Sequence, residues 1–61
     1  MLRLKITIEA SSWTDFDQIE LPRFPKEGDP IETKYGTCVV VRTEQLPDSD
    51  EYAGTIVCRK P

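Results

Sequence analysis

Residues 2–9 read Leu-Arg-Leu-Lys-Ile-Thr-Ile-Glu, a strict alternation of apolar and polar side chains. Leu2, Leu4, Ile6 and Ile8 fall on one side; Arg3, Lys5, Thr7 and Glu9 fall on the other. A period of two matches the pleat of a strand, whose successive side chains point to opposite faces. A helix would scatter the four aliphatics around its axis. The segment therefore predicts a strand with one buried face, and such a strand needs a sheet to lie in.

The remaining segments supply one. Residues 10–15 are small and polar and read as a turn. Residues 16–21 give a second strand with Ile19 and Leu21 on one face; a short helix capped by Ser12 or Thr14 is the alternative. Pro22 closes that strand. Residues before Pro22 and Pro25 are pushed into extended conformations. Residues 26–30 form a turn around Gly28. Ile31 to Thr33 begins a short strand, and Tyr35-Gly36 marks a reversal. Residues 37–44 are rich in β-branched side chains and read as a strand. An acidic loop, 46–51, leads to a last strand over 52–59. Four to five short strands and no convincing helix predict an all-β chain. The expected form is a small barrel or a strongly bent antiparallel sheet, which buries one face and limits exposed edges. The predicted core is Leu2, Leu4, Ile6, Ile8, Ile19, Leu21, Ile31, Val39, Val41, Ile56 and Cys58.

A chain of 61 residues fits a single domain, spanning 1–61, with a small core. No histidine is present, which removes the usual neutral-pH base and the commonest metal ligand. No nucleophile–base pair, metal set or phosphate loop stands out. The chain is expected to be non-catalytic, without cofactor or metal. No run approaches the roughly 20 apolar residues that span a bilayer. The alternating N-terminus lacks the continuous apolar stretch of a secretory signal, so a cytoplasmic location with reduced thiols is expected. A secreted chain with its signal removed reads the same way.

Residues 21–31, Leu21-Pro-x-x-Pro-x-x-Gly-Asp-x-Ile31, precede a hairpin of β-branched strands. This pattern resembles the start of the second strand in SH3-like small barrels. The resemblance covers about a third of the chain and implies architecture alone. Such barrels include peptide binders, RNA-binding modules and subunits of assemblies, so function does not follow from the fold. The acidic-aromatic signature of a signalling SH3 peptide groove has no counterpart here.

Cys38 and Cys58 lie on two strands expected to pair. If opposed residues sum to 96, Cys38 faces Cys58 directly and a cross-strand disulfide is possible; otherwise both are small buried thiols. Two cysteines without histidine make half a zinc site at best. The same hairpin carries more apolar residues than one face needs. Cys38, Val40, Ile56 and Cys58 share one parity; Val39, Val41, Ala53 and Val57 share the other. One set lines a core and the other wants cover, from another strand or from a partner chain.

Trp13, in a polar turn, is a candidate partner-binding anchor, as are Phe24, Val40 and Val57. The alternative for Trp13 is a cap over the open end of the core. Arg3, Lys5, Arg42, Arg59 and Lys60 form a modest basic stripe if the terminal strands are neighbours, and phosphate contacts follow from that. The net charge of −3 works against long-range attraction to nucleic acid. The segment Asp48-Ser-Asp-Glu invites a calcium reading, but an EF-hand would require glycine where Ala53 stands and glutamate where Arg59 stands. Asp15, Asp17 and Glu20 are expected to face water. The favoured expectation is a protein-interaction module or accessory subunit, self-association included. The alternative is a nucleic-acid-binding small barrel.

Overall fold

The computed structural model describes residues 1–60. Five strands form one sheet: β1 (Leu2–Glu9), β2 (Thr14–Leu21), β3 (Pro30–Thr33), β4 (Gly36–Gln45) and β5 (Gly54–Arg59). No helix forms among the described residues. The alternating segment is β1, as expected. The second strand begins two residues earlier than the sequence suggested, at Thr14, and the helical alternative is absent. The last strand begins at Gly54, with Tyr52 buried just before it.

The strand order is β2-β1-β5-β4-β3. The β1–β2, β3–β4 and β4–β5 pairs are antiparallel, whereas β1 and β5 are parallel. The expected antiparallel sheet is therefore corrected to a mixed one. The chain reverses at each of the connections between β1 and β5. An even number of reversals leaves both strands running the same way, so their direct pairing is parallel.

Curvature has a local cause in β4. Val39 opposes Arg59 and Val40 opposes Cys58, but Arg42 opposes Val57, which leaves Val41 as the extra residue of a bulge. A bulge bends its strand and raises the local twist. The strand is long enough to serve its two neighbours over different stretches: Gly36 to Val39 pair with β3, and Val39 to Gln45 pair with β5. The sheet curls into a half-barrel.

The core fills the concave side. Leu4, Ile6 and Ile8 from β1 meet Ile31, Cys38, Val40, Ile56 and Cys58 there. Ile19, Leu21, Phe24 and Ala53 pack around them, partly buried. Leu2 is also only half-buried. Val39 and Val41, expected in the core, are corrected to the outside, each 38% exposed. Cys38 and Val40 take the inner positions instead, because register assigns the even-numbered residues of this stretch to the concave face.

Residues 22–29 run from the β2 edge to the β3 edge. Pro25 is buried in this crossing, and Phe24 packs against the core. Gly28, at φ +92°, makes the turn that brings the crossing back onto the sheet. Its N–H donates to the Val40 carbonyl at 2.7 Å, and the Val40 N–H donates to the Asp29 carbonyl at 2.9 Å.

Candidate functional site

The pairing registers place a second set of side chains on the convex face. Phe16, Thr7, Val57 and Arg42 are successive Cα partners across β2, β1, β5 and β4, and so form one transverse row. The adjacent row holds Thr14, Glu9, Arg59, Val39 and Pro30. Phe16 is 73% exposed, the most open aromatic ring in the chain. Val39 and Val41 are exposed, and Val57 is half-buried. A shallow depression beside Val57 is lined by Arg42, Thr43, Glu44 and Thr55. This is the uncovered half of the apolar surplus seen in the hairpin sequence. Phe16 was missed as a candidate. Its signal was its parity, which is opposite to that of Ile19 and Leu21 in the same strand.

The named candidates divide between the two faces. Val57 lies on the convex face. Val40 is 1% exposed and belongs to the core, which corrects its reading as a partner contact. Phe24 is likewise an interior element: its ring lies over Gly54 and closes the concave side. Trp13 packs against Tyr35, ring centroids 4.6 Å apart and planes tilted by 55°.

That aromatic pair belongs to a clasp between the two ends of the sheet. Tyr35 and Lys34 form the β3–β4 turn, whose reversal is completed by Gly36 at φ +103°. The Thr33 hydroxyl donates to the Gly36 carbonyl at 2.7 Å and accepts from the Tyr35 N–H at 3.1 Å. So held, the Tyr35 hydroxyl donates to the Asp15 carboxylate. The Lys34 ammonium lies 3.6 Å from Asp15 and 3.7 Å from Asp17. These bonds, together with the Phe16 N–H, hold the Asp15 carboxyl below its ordinary range, the Tyr35 hydroxyl contributing most. The same carboxylate raises the Tyr35 phenol. Lys34 is raised by the Tyr35 oxygen first, then by Asp17 and Asp15. Asp15 and Asp17 thus serve a structural closure, while Glu20 sits apart beside Arg3 at 3.8 Å.

The basic residues gather as far as neighbouring β1 and β5 permit. Arg3, Lys5, Arg42 and Arg59 share the convex face, but Glu9, Glu20, Glu32 and Glu44 lie on it too. Arg59 pairs with Glu9 at 3.5 Å, and Lys5 lies over the Tyr52 ring at 4.9 Å. Lys60 is offset from this face, and its ammonium approaches Gly36. The face carries equal numbers of both signs rather than a positive stripe.

Cys38 and Cys58 are free, buried thiols. Opposed residues sum to 98 at this point, so Val40, and not Cys38, faces Cys58. The direct opposition that a cross-strand bridge would need is absent, and the two side chains are the small buried thiols of the favoured expectation. Burial pushes the Cys58 thiol up to about 11, with Cys38 adding to the shift. A thiol so raised stays protonated near neutrality and is a poor nucleophile.

Compared with known proteins, the chain matches no family model, no curated protein and no solved structure.

Proposed function

We propose that this chain is a non-catalytic protein-interaction module, or a small accessory subunit, that docks through the convex face of its sheet. The observation that carries the reading is the uncovered row centred on Thr7 and Val57, with Phe16 73% exposed at one end. An aromatic ring in water, on the same face as exposed valines, gains free energy when a partner covers it. Polar groups around an apolar centre are the usual anatomy of a protein interface. Most of the concave side is filled by its own packed core, with Leu2, Ile19 and Leu21 left partly open. Likeness to SH3-like barrels enters through the curled five-stranded sheet and carries no function of its own. The expected setting is a reducing compartment, where both cysteines remain thiols.

The test is affinity purification from the native host with wild-type chain, Phe16→Ser and Val57→Thr, each checked for an unchanged circular dichroism spectrum. The proposal expects a protein retained by wild type and lost from both variants. Equal retention by all three chains would remove the convex face from consideration.

A further inference from the structure

The two edge strands of the half-barrel are joined unequally. Among the described residues no ladder pairs β2 with β3, which stand at opposite ends of the strand order. At one end of the gap, residues 22–29 tie Leu21 to Pro30 through the chain itself. At the other end only side chains meet: Asp15 and Asp17 of β2 with Lys34 and Tyr35 of the β3–β4 turn. The register shows which way the carboxylates point. Asp15 is the cross-strand partner of Ile8, and Asp17 of Ile6. Directly opposed residues share a face, so both carboxylates stand on the concave side, beside two aliphatics of the core. Farther along β2 that face carries Ile19 and Leu21, which pack on the core. Thus β2 is held inward by apolar contact at its end and by polar contact at its start.

We infer that the Asp15–Lys34–Tyr35 clasp is a latch, which acid releases so that the start of β2 and the β3–β4 turn part at that end of the core while the five-stranded ladder stays paired. No strand pairing has to break for this, because none crosses the gap. Trp13, Asp17, Lys34 and Tyr35 are exposed and Asp15 is half-buried, and contacts so open to water separate at low cost. The charges around Asp15 set the direction. Lys34 and the Tyr35 hydroxyl face it from the turn, Asp17 stands two residues along its own strand, and β1 puts the uncharged Ile8 beside it. Lys60 brings its ammonium near Gly36 in the same turn. Glu32 is turned to the convex side, where it accepts from the Thr37 hydroxyl at 2.6 Å. The partners in the turn favour the carboxylate, so the clasped state holds Asp15 below its ordinary 3.8. Closure is therefore favoured above that pH and loses its advantage as the pH falls through the lowered value. A protonated Asp15 has no charge to offer Lys34. It also accepts from Tyr35 more weakly, since bonds to an ionised acceptor are about twice as strong.

Trp13 reports the latch, because its ring packs on Tyr35. The methyl signals of the core in proton NMR report the fold. As pH is lowered from neutrality through the carboxylate range, the Trp13 emission is expected to shift to longer wavelength while the methyl signals keep their dispersion. Tyr35→Phe keeps the ring but removes the hydroxyl, the largest influence holding Asp15 down, so the emission midpoint is expected to move up towards pH 3.8. Asp15→Ala is expected to show the shifted emission already at neutral pH, with its core folded. Emission and methyl signals that change only together mean that the clasp opens only with the fold, and overturn the latch. An emission that never shifts in acid overturns it as well. So does a midpoint unmoved by Tyr35→Phe, or an Asp15→Ala chain that is unfolded or keeps wild-type emission at neutral pH. These readouts need no partner, so the latch stands or falls separately from docking on the convex face.

Discussion

Gly54→Ala probes how tightly the crossing segment seals the core. Gly54 begins β5, with Leu4 beside it on one strand and Gln45 on the other. A Cβ added there would lie 2.5 Å from Phe24 Cε2 and 2.7 Å from Cζ, with the Glu44 carbonyl oxygen also in its way. Cβ contacts below 3.0 Å are essentially never seen. The ring can tilt, but the carbonyl is part of the β4–β5 ladder and moves only with its strand. Overpacking of this kind costs about 1–3 kcal/mol, and the backbone contact argues for the upper half, about 2 kcal/mol or more. For 61 residues, an unfolding entropy of about 2.1 cal/mol/K per residue gives about 8 °C per kcal/mol. Tm should therefore fall by about 16 °C or more in a thermal melt followed by circular dichroism. Phe24→Leu removes the ring and should make Gly54→Ala less costly in its presence than in the wild-type background, the coupling expected of residues in contact. Rescue should be incomplete, because the Glu44 carbonyl remains. A Tm within about 4 °C of wild type for Gly54→Ala would refute the argument, and strict additivity would refute the role given to Phe24.

Other consequences are open to direct measurement. Ile6→Ala, in the middle of the buried β1 face, should cost about 2–5 kcal/mol and leave much of the chain unfolded at 25 °C by far-ultraviolet circular dichroism. A Cys58 thiol raised to about 11 from an ordinary 9.0 stabilises the fold below pH 9, and that contribution disappears as pH rises towards 11, because the unfolded thiol ionises first. Urea titrations across that window should show a loss of up to about 2 kcal/mol, smaller in Cys58→Ala, where the same-signed titrations of Tyr35 and Lys34 remain. Neither cysteine should react with a thiol reagent at pH 7 faster than the chain opens. Tyr35→Ala removes the aromatic ring that packs against Trp13. The emission of this single tryptophan should shift to longer wavelength, and the Phe16 and Gln18 amides should exchange faster by hydrogen–deuterium exchange.

The sequence was most legible where one rule acted alone. In β1 the alternation had no competitor, and Leu4, Ile6 and Ile8 are buried as it required. Gly28 marked its turn for the same reason: a positive φ is cheap for glycine and costly for other residues. The β4 stretch was ambiguous because Cys38, Val39, Val40 and Val41 are all apolar. Parity separates such a run into two sets but cannot say which set faces the core. That choice was made by register with β3 and β5, a long-range property. The β1–β5 pairing was beyond local patterns too, since it joins the ends of the chain. The clasp was harder still. Trp13, Asp15, Lys34 and Tyr35 look like ordinary turn residues until curvature brings the ends of the sheet together.

The bulge at Val41 connects these outcomes. By bending β4 it curls the sheet, and curling brings the β3–β4 turn within reach of Asp15 and Asp17. Those carboxylates then occupy amides on the edge of β2. Curvature thus does two things at once: it encloses one apolar face, and it fixes the carboxylates that occupy two amides of an edge. The valines and Phe16 on the outside gain nothing from either. Left exposed, they contribute none of the hydrophobic free energy that burial would release. A chain of 61 residues has little apolar material to spare. Under the proposed docking, the outer row is the surface that a partner covers.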